Sequence, residues 1–247
     1  MAKDSFVFRD FYSSSNATAP SLTSIFTGKY PHNHGIIHQF PYTTEEEFAQ
    51  LEQKKFWLPS FLKEKGYETI AIDWIGMFFK NGFDYYEEKD DSKNTMEKIM
   101  AQPTFKKFLL RLPNWAYKLG KNMTRTRTSA KFSPANETMN LGILKIIETI
   151  EKNKPFFLFI HFWDTHFPFP TTAYEGHREN NIDAFLDNIK DVGQKEYFKK
   201  RVTDIGLYNV EDMIEKYDES IKMVDEQIGI LHTFLKKNNL WDETLLI

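Results

Sequence analysis

Three times in its 247 residues the chain passes from an amphipathic helical pattern, through a Gly or Pro stop or a polar break, into a short apolar run. That order limits the fold more than any other feature. In the first unit, residues 57–65 place Leu58, Phe61 and Leu62 on one face, Gly66 closes the helix, and residues 68–73 read as a buried strand. In the second, Met139, Ile143, Ile146, Ile147 and Ile150 recur at helical spacing across 138–152, Pro155 ends the pattern, and 156–162 is an apolar strand. In the third, Tyr217, Ile221, Val224, Ile228, Leu231 and Leu235 step by 4, 3, 4, 3 and 4, and a strand is expected at 244–247. Helices that alternate with strands carry the chain back across a sheet, so the strands come out parallel and buried on both faces. The expected fold is therefore an α/β sandwich with a mostly parallel central sheet.

Two more elements precede these units. Residues 5–12 alternate apolar and polar with strand-favouring aromatics, and predict an opening strand. Residues 20–27 predict a short helix, begun by Pro20, carrying Leu22, Ile25 and Phe26, and stopped by Gly28. Stretches near 85–137 and 171–212 mix charge, Pro, Asn and aromatics, and are expected to be helical insertions within one domain spanning 1–247.

Charge and composition remove several function classes. Lys and Arg number 32 against 35 Asp and Glu, far from the basic excess of a nucleic-acid binder. With no cysteine, a disulfide framework, a cysteine nucleophile and a thiolate zinc site are all excluded. The longest apolar stretch, 155–163, falls well short of the roughly 20 residues a bilayer-spanning helix needs. Because the start, Met1-Ala-Lys-Asp, is charged and leads into no apolar run, no signal peptide is read. A soluble, cytoplasmic chain is expected, and the sequons at Asn16, Asn122 and Asn136 are discounted.

Segment 16–35 carries most of the chemical information. Thr18 lies just before a Pro-initiated helix, where orphan N–H groups and the positive dipole end attract anions. Its hydroxyl could meet a phosphate or sulfate, or else Thr18 or Asn16 simply caps the helix. His32, His34 and His38 are spaced across Pro31 and Gly35, so no regular element aligns them on a metal. The acidic runs 45–47 and 87–91 read as solvated faces, and Lys118, Lys121, Arg125 and Arg127 form a modest basic patch. His161, among apolar strand neighbours, reads as a buried structural histidine. His166 follows in the next loop, and Asp164 could orient either imidazole or cap that loop.

Thr18-Ala-Pro-Ser-Leu22 and Thr27-Gly-Lys-Tyr-Pro31, followed by the blocks 156–168, 224–229 and 241–247, resemble the sulfatase family of the alkaline phosphatase superfamily. The resemblance implies an alkaline-phosphatase-like sandwich and the cleavage of sulfate or phosphate esters. It places Thr18 as nucleophile and metal ligand, His166 against the ester oxygens, and a divalent metal (Ca, Mg, Mn or Zn) in the intact family. The sequence also departs from the family pattern. Thr18 stands where sulfatases convert Cys or Ser to formylglycine, Leu22 replaces an Arg, and Ile72-Asp73-Trp74-Ile75-Gly76 replaces a Gly-Lys-Trp-His-Leu-Gly element. A threonine nucleophile resembles the phosphoethanolamine and phosphoglycerol transferases of the superfamily.

Set against that family, the chain reads as incomplete at its N- and C-termini, starting downstream of a paired Asp and stopping before a Ser-Asp-His-Gly motif. On that reading it binds no divalent metal tightly, turns over no ester by itself, and self-associates through exposed sheet edges. An anionic ester is the expected substrate, with neither nucleic acid nor a membrane segment involved. The alternatives are a catalytically inactive scaffold or binding module, and a transferase.

Overall fold

A computed structural model describes residues 5–39, 42–52, 56–73, 76–87, 134–167, 169, 182–204 and 209–247. The chain divides into two compact units, Met1–Lys93 with Leu144–His161, and Asn94–Ile143 with Phe162–Ile247.

The first unit is built on a three-stranded, all-parallel sheet in the order β2-β1-β3, from β1 (Glu68–Ile72), β2 (Tyr85–Glu87) and β3 (Phe156–Ile160). This mixed α/β arrangement with parallel strands bears out the expected class. β1 is central, and Ile70, Ala71 and Ile72 are all buried, as a strand covered on both faces requires. Its register pairs Ala71 with Phe159 on one side and with Tyr86 on the other. Glu68 fixes the lower end. Its carboxylate takes Lys152 at 2.6 Å and Lys154 at 3.2 Å, and its N–H donates to Pro155 at 2.8 Å, joining the turn before β3 to the start of β1.

Helices α1 (Thr18–Thr27), α2 (Pro31–His34), α3 (Glu45–Glu52) and α4 (Leu58–Glu64) belong to the same unit. α1 and α4 follow the expected helices closely. Gly28 ends α1 with φ 65°, a left-handed position that a residue with a Cβ adopts only at a cost, and its N–H donates to Ser24 at 2.8 Å. Phe26 is the hub of the core. Its ring meets Trp57 and Phe159 edge-on at 5.0 Å, and Phe83 and Phe79 at 5.9 and 6.3 Å. Aromatic pairs in this geometry each add about 0.5–1.5 kcal/mol beyond burial. Ala19 and Leu22 complete the α1 side, with Phe157, Phe159 and Tyr86 packed from the sheet.

Helix α5 (Pro134–Glu151) feeds β3 as the 138–152 periodicity predicts. In the second unit, α6 (Ile182–Leu186), α7 (Val192–Asp204) and α8 (Val210–Lys237) follow. Ile182, Leu186 and Val202 pack with Phe167, Ile189, Val210 and Met213. α8 is longer than its apolar stripe because its ends are independently favourable. Asn209 accepts from the Glu211 N–H at 2.8 Å, acidic Glu211 and Asp212 open the helix, and Lys236 and Lys237 close it.

Two expected strands do not form. Residues 5–12 pair with no described strand, and Phe6, Phe8 and Phe11 stand exposed, Phe6 at 95%. Residues 244–247 follow a short 3₁₀ turn at Trp241–Glu243 and likewise join no ladder, with Leu245 exposed. Alternation and β-propensity show which face a strand would bury. A strand also needs a hydrogen-bonded neighbour, and local sequence does not specify one. Most of the stretch 85–137, the basic patch at Lys118, Lys121, Arg125 and Arg127, and residues 88–91 of the acidic run lie outside the described residues.

Candidate functional site

Thr18 is the first residue of α1, and the cap position before it is Ala17, which contributes no side-chain bond. Neither Thr18 nor Asn16 caps the helix, contrary to the simpler local expectation. Among the described residues the half-buried Thr18 hydroxyl has no hydrogen-bond partner. Pro20 has no N–H, and the Ala19 N–H before it gives its proton to Gln39 Oε1 at 2.8 Å. Leu22, one turn on, is buried in the Phe26 cluster. The position where an Arg would be expected therefore faces hydrocarbon.

The three histidines that follow are separated by their surroundings. His34 is fully buried. Its Nδ1 accepts from the Ile36 N–H at 3.1 Å, which leaves Nε2 to donate to Ser24 Oγ at 3.0 Å or the Pro20 carbonyl at 3.2 Å. It fastens α2 to α1. His32 is exposed and stacks on Tyr30 at 6.1 Å. His38 meets Glu47 Oε2 through Nδ1 at 3.1 Å. Glu47, read as part of a solvated run, is in fact buried and forms a capping box with Thr44 ahead of α3. Burial pushes its carboxyl up, but N–H bonds from Thr44, Ile37 and His38, with the His38 ring, outweigh burial and bring the pKa down to about 2.

A cluster that sequence reasoning missed lies at the carboxyl ends of the strands. Asp73 follows β1 and is fully buried, and His161 follows β3. His161 Nδ1 lies 2.9 Å from Asp73 Oδ1, and the Tyr86 hydroxyl of β2 donates to Asp73 Oδ2 at 2.5 Å. Tyr86 in turn accepts from the Gly76 N–H at 3.1 Å, and the His161 N–H donates to the Ile72 carbonyl at 3.0 Å. All three strands thus contribute to one buried carboxylate. A parallel register makes this possible, because one alternate step past the Ala71–Phe159 pair brings positions 73 and 161 side by side. His161 keeps 24% of its side chain exposed, so it is only partly the buried structural histidine expected from its apolar neighbours. Burying a carboxylate is costly unless its oxygens are hydrogen-bonded, and here both are. The available signal was the pair of polar residues ending two apolar runs, in open α/β sheets the edge where ligands bind.

In the second unit, His166 is exposed. Its Nδ1 donates to the Phe167 carbonyl at 2.6 Å, and its ring lies 5.3 Å from Trp163. Asp164 is buried and accepts from the Ala135 N–H at 3.1 Å, which ties its loop to the first turn of α5.

A divalent cation needs several oxygen or imidazole donors converging on one point. Among the described residues no three His, Cys, Asp or Glu side chains gather in that way. Asp73 has both oxygens engaged, and both nitrogens of His34 are engaged within the fold. This donor set does not fit a divalent metal. Among the described residues, no helix is long and apolar enough to cross a membrane.

The sulfatase family model matches residues 1–247. Among solved structures, the chain is similar to one titled "Crystal structure of Ps i-CgsB", at 16% identity and a TM-score of 0.42, over 94% of this chain. The chain spans about half of that structure, 47% of its length. Comparison with curated proteins gives no match.

Proposed function

Because this chain belongs to the sulfatase family, we propose that it is a hydrolase of anionic sulfate or phosphate esters with Thr18 in the nucleophile's place. Sulfatases act on anionic esters and generally use a divalent metal, whereas the described donors here do not suit one. The supporting observation is Thr18 itself, a hydroxyl without a described partner at the positive end of a ten-residue helix. An acceptor already sits on the adjacent donor, since Gln39 Oε1 holds the Ala19 N–H, and an anionic ester oxygen would compete with that neutral amide.

In the proposed reaction Thr18 Oγ bonds to sulfur or phosphorus as the bond to the ester oxygen breaks. The threonine proton ends on the departing alcohol, and water then releases sulfate or phosphate and restores the hydroxyl. A hydroxyl suffices as nucleophile toward phosphorus, which favours phosphate esters, whereas the sequence blocks that match the family favour sulfate.

Turnover of 4-nitrophenyl sulfate and 4-nitrophenyl phosphate by the wild type and Thr18→Ala tests the proposal. Thr18→Ala is expected to lose at least about 100-fold in kcat, in line with removal of a covalent nucleophile. Equal turnover by the two proteins overturns the assignment of Thr18. A preference above about tenfold between the esters, about 1.4 kcal/mol of barrier, identifies the substrate class. A wild type that cleaves neither ester supports the scaffold alternative.

A further inference from the structure

We propose that residues 5–12 of one copy of this chain add as a strand to the open edge of β3 in a second copy, which returns its own segment in exchange. Both partners lie in the first compact unit, and neither depends on ester cleavage. β3 pairs with β1 on one side only, since the sheet order is β2-β1-β3. At the ends of this pairing the Pro155 carbonyl accepts from the Glu68 N–H at 2.8 Å, and the His161 N–H donates to Ile72 at 3.0 Å. Backbone groups alternate sides along a strand, so Phe157 and Phe159 also face β1. The N–H and carbonyl groups of Phe156, Leu158 and Ile160 then point to the open edge, where they meet no partner among the described residues. Edge strands are ordinarily blunted by charge, proline or shortness. β2 is such an edge, three residues long, ending in Glu87 and with Lys145 4.0 Å over the Tyr85 ring. β3 reads Phe-Phe-Leu-Phe-Ile and has none of these devices, and its five side chains are only half-buried where Ile70, Ala71 and Ile72 beside it are buried. An all-apolar run suits the interior of a parallel sheet, not its edge.

The segment before α1 supplies what that edge lacks. Residues 6–12 belong to no helix or ladder, bend at Arg9 and Asp10, and make no hydrogen bond among the described residues. Phe6, Phe8, Phe11 and Tyr12 stand 95, 77, 81 and 83% exposed. At roughly 150–250 Å² per ring they present about 600–1,000 Å², above the roughly 300–600 Å² that a monomer leaves in its largest apolar patch. Arg9 and Asp10 cancel, so no net charge keeps two such segments apart. Strand addition satisfies the outward groups of β3 and lays alternate residues, Phe6 and Phe8, on one face of the extended sheet. A second copy carries the same edge and the same segment, so one two-fold exchange satisfies both edges at once. The rings of two segments together amount to about 1,200–2,000 Å², the size of a stable interface.

Sedimentation velocity of the full chain across a concentration series tests the proposal. The wild type is expected to dimerise. The double variant Phe6→Asp, Phe8→Asp, changed only at exposed positions without hydrogen bonds, is expected to dimerise at least about 30-fold more weakly with an unchanged circular dichroism spectrum. A wild type that stays monomeric overturns the proposal, as does a double variant that dimerises within about threefold of it. Amide-resolved hydrogen exchange then locates the contact. In the dimer the Leu158 and Ile160 amides are expected to exchange at least about tenfold more slowly than in the double variant, whereas those of Phe157 and Phe159, which face β1, are protected in both. Equal exchange of the Leu158 and Ile160 amides in the two proteins overturns the placement on β3. A monomeric wild type with slow exchange at Leu158 and Ile160 means that the segment folds back on its own edge, and assemblies larger than a dimer mean open-ended pairing. Either result overturns the reciprocal exchange.

Discussion

His161 and His166 sit in one short stretch of sequence, both beside aromatic residues, and their settings differ completely. His161 is bonded to a buried carboxylate that comes from a different strand, 88 residues away in the chain. His166 is bonded to the carbonyl of its immediate neighbour, Phe167, at the protein surface. A local partner is supplied by any loop, and it ties the imidazole only to the conformation of that loop. A distant, buried partner exists only in the folded chain. It fixes the tautomer and orientation of the ring and ties both to the integrity of the sheet. The environment of a histidine, and not the sequence around it, decides how far its ring is tied to the rest of the fold.

The contrast is most open to attack at Asp73. Replacing it with Ala leaves the His161 N–H and the Tyr86 hydroxyl without their shared acceptor in a site of zero exposure. The expected cost is about 3–5 kcal/mol by urea unfolding. A cost below about 1 kcal/mol would show that the cluster holds nothing together.

Glu47 sharpens the comparison, because it too binds a histidine, His38, yet its remaining partners are backbone N–H groups. Its pKa in the folded chain is lowered from 4.5 to about 2, so its stabilisation is complete above pH 4.5 and is lost as pH falls toward 2. That shift corresponds to roughly 3 kcal/mol. Stability measured between pH 5 and 2 is expected to fall more steeply in the wild type than in Glu47→Gln. Parallel curves would mean that the carboxylate is not held as described.

The smallest effect belongs to His166. His166→Ala is expected to change stability by no more than about 0.5 kcal/mol, as at other exposed positions with local partners. A loss approaching that of Asp73→Ala would erase the distinction between the two histidines.

Much of the framework was legible in advance because it is local. The 57–65 and 138–152 periodicities, the Gly28 and Gly66 stops and the apolar runs before Asp73 and His161 are each set by neighbours a few residues apart. Thr18 at the start of α1 was legible on the same basis. Residues 5–12 and 244–247 carry strand-like composition too, yet they form no ladder, since pairing depends on a partner elsewhere in the chain. Glu47 was misread for a related reason. Three adjacent glutamates look alike in sequence, and only the capping box and the returning 37–38 backbone single one out for burial.

The amino-acid sequence alone thus determined the helices over 20–27, 57–65, 138–152 and 217–235, the parallel α/β class, membership of the sulfatase family and the place of Thr18 at the start of α1. These depend on spacing and residue type over short spans. The meeting of Asp73, Tyr86 and His161 was decided only by tertiary structure. It requires the exact register of three parallel strands, and a slip of one residue would turn each side chain to the opposite face.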